Sequence, residues 1–328
     1  MYKTVDIDIT KYEEIYEGPS RGRFEYWLRK MPKEYGRKDK VKFEYKRCIF
    51  EPDMHFGEMT AFKVAEKIGI PCCEVELFSR PYPANPKLSE TGCISHFEQG
   101  SDDYLYPAEN FASKFARNEG IQNDYMLDID SIFSAAYEFF QKNNRPIYEY
   151  LKFKKDFIVM TVFDLRFGNF DRGLNNWFIR QNRKTGAMEL YPMFDNEAIL
   201  GFTDDVLEDM SYASILKFNN DRMSKVTTPE DRKQRRYTDF REMYKYLLKN
   251  YPLETRFANR MFENFTESDL IEILDNMPDI SDERKRFARR NYAYRSMTLD
   301  RIREDHDANK LTRRRIYSKV DRDERMSS

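Results

Sequence analysis

The chain has 328 residues, with 57 acidic and 56 basic side chains and a formal net charge of −1, a length that suits two domains or one enzyme of two lobes. Apolar residues make up 40% and charged residues 34%, which excludes a disordered chain, and the charge balance argues against a protein whose main work is to coat nucleic acid or an anionic membrane. The four cysteines (48, 72, 73, 93) and three histidines (55, 96, 306) lack the spacing of a structural zinc site. The opening MYKTVDIDITKYEE has no basic or apolar leader character, and no stretch approaches the ~18 apolar residues of a membrane helix. A cytoplasmic protein that needs no membrane and binds no nucleic acid directly is the expectation.

From residue 15 to about residue 97 the pattern predicts short strands and one helix. FEYWLR (24–29) and VKFEYK (41–46) alternate apolar and charged residues as half-buried strands do. The preceding EGPSRGR places Gly18, Ser20 and Gly22 at a strand-to-strand turn, where glycine lets backbone N–H groups approach phosphate oxygens. GEMTAFKVAEKIGIP (57–71) reads as a helix: Ala61, Val64, Ala65 and Ile68 share a face, Gly69 suits the C-terminal cap and Pro71 stops continuation. CCEVELF (72–78) and GCISHF (92–97) read as strands separated by a proline-rich turn, and EQGSDD (98–103) as a linker.

Beyond residue 100 the character turns helical. IDSIFSAAYEFFQK, LKFKKDFIVMTVFDLRF, REMYKYLLKNY and SDLIEILDNM carry apolar residues at helical spacing. Thr266 with Asp269 forms a capping-box pattern flanked by Phe265 and Leu270, and Thr228-Pro229-Glu230-Asp231 has the cap, proline and acidic first turn of a second helix start. Residues 175–199 break the helical pattern and predict a small hairpin, with strands WFIR and MELYPMF. The Arg-, Asp- and Glu-dense segment from Asp282 to Ser328 predicts a solvated, salt-bridged helix and receives no functional role.

The segment GNFDRGLNNWFI (168–179), followed by LYPMFDNE (190–197), carries the chemistry. Phosphoryl transfer to a hydroxyl needs a carboxylate to accept the proton and hard oxygen ligands to hold Mg²⁺ on the phosphates. A D-x-x-x-x-N turn followed by an Asp in an apolar strand supplies them: Asp171 as base, Asn176 and Asp195 as metal ligands. The order of features upstream fits ATP binding. Lys46, in the second strand after the glycine turn, is the candidate for the α- and β-phosphates, with Glu58 on the next helix as its ion-pair partner. Lys42, Arg47 and Glu66 compete for these roles.

These residues resemble the HipA-like serine/threonine kinases, particularly their shorter stand-alone, CtkA type. The family's Asp-Arg-His-x-x-Asn loop is matched by Asp171-Arg172-Gly173-Leu174-Asn175-Asn176, and its later Phe-Asp-Asn by Phe194-Asp195-Asn196. His96-Phe97-Glu98 is similar to the family's Arg-Phe-Asp hinge, and YPAENF (106–111) to the segment after it. The similarity touches most of residues 15–200, strongly at the catalytic loop. It implies an α+β, two-lobed protein-kinase-like fold: a sheet-rich N-lobe over 1–99 and a mainly helical C-lobe over 100–328. It also implies ATP and Mg²⁺ as ligands, the backbone near Phe97 on the adenine, Glu98 on the ribose, and a protein substrate; a small DNA-binding, antitoxin-like partner cannot be read from the chain. Gly173 departs from the family, standing where it carries His, which leaves open how the loop is braced. Two rivals share the motif: a small-molecule phosphotransferase of the aminoglycoside-kinase kind, and a catalytically silent kinase-like module.

Overall fold

A computed structural model describes residues 2, 4–6, 12–20, 23–30, 42–48, 53–82, 85–99, 103–120 and 127–326, with side chains described chiefly between residues 53 and 310. Its first layer is a six-stranded sheet in the order β1-β5-β6-β4-β3-β2, built from β1 (Thr4–Asp6), β2 (Tyr12–Ser20), β3 (Arg23–Lys30), β4 (Lys42–Cys48), β5 (Val75–Tyr82) and β6 (Asn85–Gln99). The β1–β5 pairing is parallel and the rest are antiparallel. The predicted strands at 24–29 and 41–46 are β3 and β4. The strands flanking the glycine segment run further than the sequence suggests. The ladder runs on through Gly18 opposite Glu25 to Ser20 opposite Arg23, so Gly18 and Ser20 are strand residues, and Gly22 lies outside the described residues.

The proline-rich stretch after residue 78 is likewise mostly strand. Pro81 pairs with Ser89, and only 83 and 84 separate β5 from β6. The short strand β1 covers β5 only from Leu77 to Ser79, so Pro81 sits past its end, where a missing N–H breaks no described ladder.

Helix α1 (Met54–Ile68) packs on β5 and β6 and ends at Gly69, whose φ of 76° is the left-handed cap read from the sequence. Ala61, Val64 and Ala65 are fully buried as predicted, and burying a side chain such as Val64 contributes roughly 1.5–3 kcal/mol. Burial extends beyond that face, however, to every residue from Met54 to Thr60. The reason is a second neighbour: a Cβ on Gly57 would lie 2.3 Å from the backbone oxygen of Glu197, so only glycine lets the helix lie against that segment.

The second layer is helical: α2 (Ala108–Asn118), α3 (Ile129–Lys142), α4 (Ile147–Phe167), α5 (Tyr212–Asn220), α6 (Pro229–Lys233), α7 (Phe240–Asn250), α8 (Pro252–Phe262), α9 (Glu267–Asp275) and α10 (Asp282–Met326). Helix α4 is the axle. Its stretch from Phe157 to Phe167 is buried without interruption, including the polar Thr161, Asp164 and Arg166. The Thr266–Asp269 capping box and the Thr228 cap both form. The predicted hairpin is present as β8 (Phe178–Asn182) and β9 (Met188–Leu190), and it gains a strand the sequence did not announce, β7 (Asp103–Pro107), to make a three-stranded sheet.

The expectation of a solvated C-terminal helix is corrected in its first turns. Phe287, Ala288, Tyr292 and Leu299 are core residues, and Arg284, Asn291 and Arg295 are buried with them. Arg284 donates to Asp53 at the start of α1 (2.8 Å) and to the backbone oxygens of Gly201 (3.0 Å) and Asp204 (2.7 Å). Among the described residues no helix is long and apolar enough to cross a membrane.

Candidate active site

The loop that follows α4 is set by its own sequence. Gly168 adopts φ 76° and returns its N–H to Asp164 O (2.8 Å), ending the helix. The Asn169 side chain then accepts from Asp171 N–H (3.1 Å), Gly173 N–H closes on Asp171 O (2.6 Å), and Asn176 N–H closes on Gly173 O (3.0 Å). These local bonds fold residues 169–176 into a compact turn in which Asp171 stays 38% exposed while Asn176 is buried. The Asn176 amide donates to Asp171 O at 2.8 Å, which leaves its Oδ1 as the remaining acceptor, the atom a cation would use.

Arg172 joins this loop to the second motif. It is 2% exposed and its guanidinium fork grips both oxygens of Asp164 (3.0 and 3.1 Å). The same group donates to Asn176 O (2.9 Å), Phe194 O (2.6 Å) and Asn196 Oδ1 (2.5 Å). One buried cation therefore holds the residues on either side of Asp195 against the loop that carries Asp171 and Asn176. Burial pushes the Asp164 carboxyl up, and Arg172 works against that rise. Burial pulls Arg172 down, but Asp164 more than restores it, with Asp195 and Glu58 contributing. Only arginine offers five donors in a fixed plane for such a junction.

Asp195 has φ 57°, a left-handed conformation that costs a non-glycine residue roughly 1 kcal/mol and is held by its surroundings. Those surroundings include α1. Glu58 is 1% exposed and accepts from Asn196 N–H at 3.0 Å. Glu58, Asp195 and Glu197 each bring a carboxylate oxygen within 4.8 Å of the others. Such a set of hard oxygen donors fits Mg²⁺ and gives nothing to thiophilic metals.

Sequence reasoning pairs Glu58 with Lys46, whose side chain lies outside the described residues; among those described, Glu58 meets the Asp195 segment. The side chains of Ser20, Phe97 and Glu98 also lie outside the described residues, as does Gly22 altogether. What is described is backbone: Lys46 sits in β4 opposite Trp27 and Ser95, and Phe97 and Glu98 in β6 opposite Glu44 and Phe43. Of these two strands, β6 packs against α1.

No family profile and no curated protein matches the sequence. Among solved structures, the chain superposes on the crystal structure of the Helicobacter pylori proinflammatory kinase CtkA with a TM-score of 0.67 and 17% identity, covering 94% of this chain and 100% of that one. The fold is that of a two-lobed kinase. HipA of Shewanella oneidensis MR-1, solved with HipB and operator DNA, is matched more loosely, with a TM-score of 0.48 and 14% identity over 81% of this chain and 60% of that one.

Within this kinase-like fold two residues of the candidate site escaped sequence reasoning. Glu197 is two positions past Asp195 and would have needed the pairing with α1 to be noticed. Lys225 makes an ion pair with Asp171 from 54 positions away. It follows the two-residue strand β10 (Met223–Ser224), which pairs with β11 (Thr238–Asp239). Its only trace in the sequence is the glycine at 173.

Proposed function

We propose that the chain is an ATP-dependent serine/threonine protein kinase of the HipA-like type that works with Mg²⁺ in the cytoplasm, its nucleotide lobe spanning 1–99 and its helical lobe 100–328. The observation that carries the reading is the Arg172 junction, which fastens a carboxylate-and-asparagine loop to a second carboxylate segment on a kinase fold. In this reading Asp171 accepts the proton of the acceptor hydroxyl as its oxygen attacks the γ-phosphorus, and ADP leaves with the electrons of the broken bond. Asn176 and Asp195 hold the metal, with Glu58 and Glu197 beside Asp195. Bound Mg²⁺ offsets the charge of the phosphates. Lys46 meets the α- and β-phosphates below Gly18, Ser20 and Gly22, the Phe97 backbone meets the adenine, and Glu98 the ribose. The acceptor is a protein hydroxyl.

Incubation of the purified chain with γ-labelled ATP, Mg²⁺ and a generic protein acceptor tests the reading. Label should appear on the acceptor or on the chain, and Asp171→Ala and Asp195→Ala should each lower it by at least about 10³-fold. Undiminished labelling in both variants would sink the assignment.

A further inference from the structure

Lys225 lies in the helical half, in no motif, and its backbone is fixed beside the loop. Its N–H donates to Phe170 O at 3.3 Å, one residue before Asp171. On one side Arg222 stacks over the Phe170 ring, 5.0 Å from its centre. On the other, Thr227 O accepts from Ile129 N–H at 3.0 Å. The ammonium ends on a carboxylate oxygen of Asp171, and both side chains remain partly open, at 25% and 38% exposure. A surface ion pair between two otherwise idle groups contributes about 0–1 kcal/mol to stability, so fold maintenance alone gives this contact little to do.

Gly173 explains how the contact is reached. Its φ is not in the left-handed region, so the backbone there does not demand glycine. A Cβ at 173 would meet Lys225 Cδ at 3.7 Å and Asn175 Oδ1 at 2.8 Å. Position 173 therefore adjoins the Lys225 stem on its way to Asp171. The chain lacks a side chain two residues after the base and supplies one from 54 residues downstream instead.

We propose that Lys225 is the cation of the transfer step: it orients the Asp171 carboxylate and meets the γ-phosphoryl group as that group passes to the acceptor oxygen. This rests on the phosphotransferase reading above. As the acceptor O–H loses its proton to Asp171, the new P–O bond forms and the bond to the β-phosphate oxygen breaks, with its electron pair leaving on ADP. Negative charge on the equatorial oxygens then lies beside the base, where a single mobile ammonium can serve both. Lysine suits this better than arginine in shape, being a compact point charge on a flexible stem.

The test is steady-state transfer from labelled ATP to a histone mixture by the wild type, Lys225→Ala, Lys225→Arg and the double variant Lys225→Ala/Gly173→Lys. Lys225→Ala should lower kcat about 10²-fold, with KM for ATP changed less than about threefold and the melting temperature by less than about 3 °C. Lys225→Arg should keep more of the rate than Lys225→Ala. The double variant should regain at least about tenfold, because lysine at 173 starts beside the space vacated by the Lys225 stem. Wild-type kcat in Lys225→Ala overturns the proposal, and so does a loss that neither Lys225→Arg nor Gly173→Lys recovers. A wild type that transfers nothing brings down the phosphotransferase reading as well, so the two failures are told apart by the wild type alone.

Discussion

Acid should loosen α1 through one side chain. His55 is 4% exposed, lies tilted at 43° against the neighbouring Phe56 ring with centroids 3.9 Å apart, and among the described residues neither of its ring nitrogens has a hydrogen-bond partner. Burial pulls its pKa down from 6.5 to about 4, with the nearby Asp53 charge opposing only in part. In the unfolded chain the imidazole takes up a proton near pH 6.5, whereas in the fold it resists until about pH 4. The unfolded state thus binds more protons across that window, and stability falls as the pH drops through it. At 1.36 kcal/mol per pH unit the loss reaches about 3 kcal/mol by pH 4, a large share of the ~5–15 kcal/mol that holds a typical protein folded. Urea unfolding of wild type and His55→Leu at several pH values between 7.5 and 4.5 isolates this contribution from the carboxylates that titrate in both. The wild type should lose about 2–3 kcal/mol more than the variant over that range. Because Glu58 lies three residues further along α1, nucleotide affinity should weaken over the same range. Parallel stability profiles would refute the reasoning, as would an imidazole proton resonance that titrates near pH 6.5 in the native protein.

Gly57→Ala forces α1 away from the Glu197 carbonyl; it should cost about 1–3 kcal/mol and weaken Mg²⁺-dependent nucleotide binding, both readable from melting curves with and without Mg·ATP. Arg172→Ala leaves the Asp164 carboxylate buried beside an empty space and should destabilise by about 3–5 kcal/mol. The double variant with Asp164→Ala should cost clearly less than the sum of the singles in denaturant titrations; additivity would contradict the junction described. Arg295 is buried, stacks over Phe240 at 4.2 Å and donates to Leu165 O at 3.2 Å, and burial pulls its pKa down to about 10. Among the described residues no carboxylate forms an ion pair with it, so Arg295→Met should be neutral or stabilising by up to about 2 kcal/mol, and a loss above 1 kcal/mol on that scale would show that its hydrogen bond outweighs its charge.

How much of this was legible depended on what signal each element needed. Helix α3 appears over the very residues whose apolar spacing predicted it, and α1 stops where Gly69 and Pro71 stop it. Helix α2 went unread because its buried stripe is alanine at 108, 112 and 116, which carries little hydrophobic contrast. Helix α8 hides Thr255, Ala258, Asn259 and Phe262, a face that looks polar in sequence. The buried arginines of α10 mimic a solvated helix for the same reason: a side chain's partners decide its burial, and those partners are distant in the chain. At the site, Asp171, Asn176 and Asp195 were visible because two short motifs hold them. Glu197 and Lys225 come to the candidate site through contacts that only the folded chain brings about.

The contacts of α1 bear on how this protein can be dissected. The helix lies between β4 and β5 in the chain, and its polar attachments among the described residues include Glu58 to Asn196, Asp53 to Arg284, and Lys67 to Asp269 and Glu272 at 2.7 and 3.1 Å. A chimera that swaps the first hundred residues for those of another protein of this fold would import a foreign α1 into a cradle cut for this one. A fragment starting at residue 100 would leave Asn196 N–H without Glu58 and Arg284 without Asp53. Recombining halves of this chain should therefore succeed only when the cradle residues on α9, α10 and the Asp195 segment travel with the helix, although no continuous stretch of sequence contains them all.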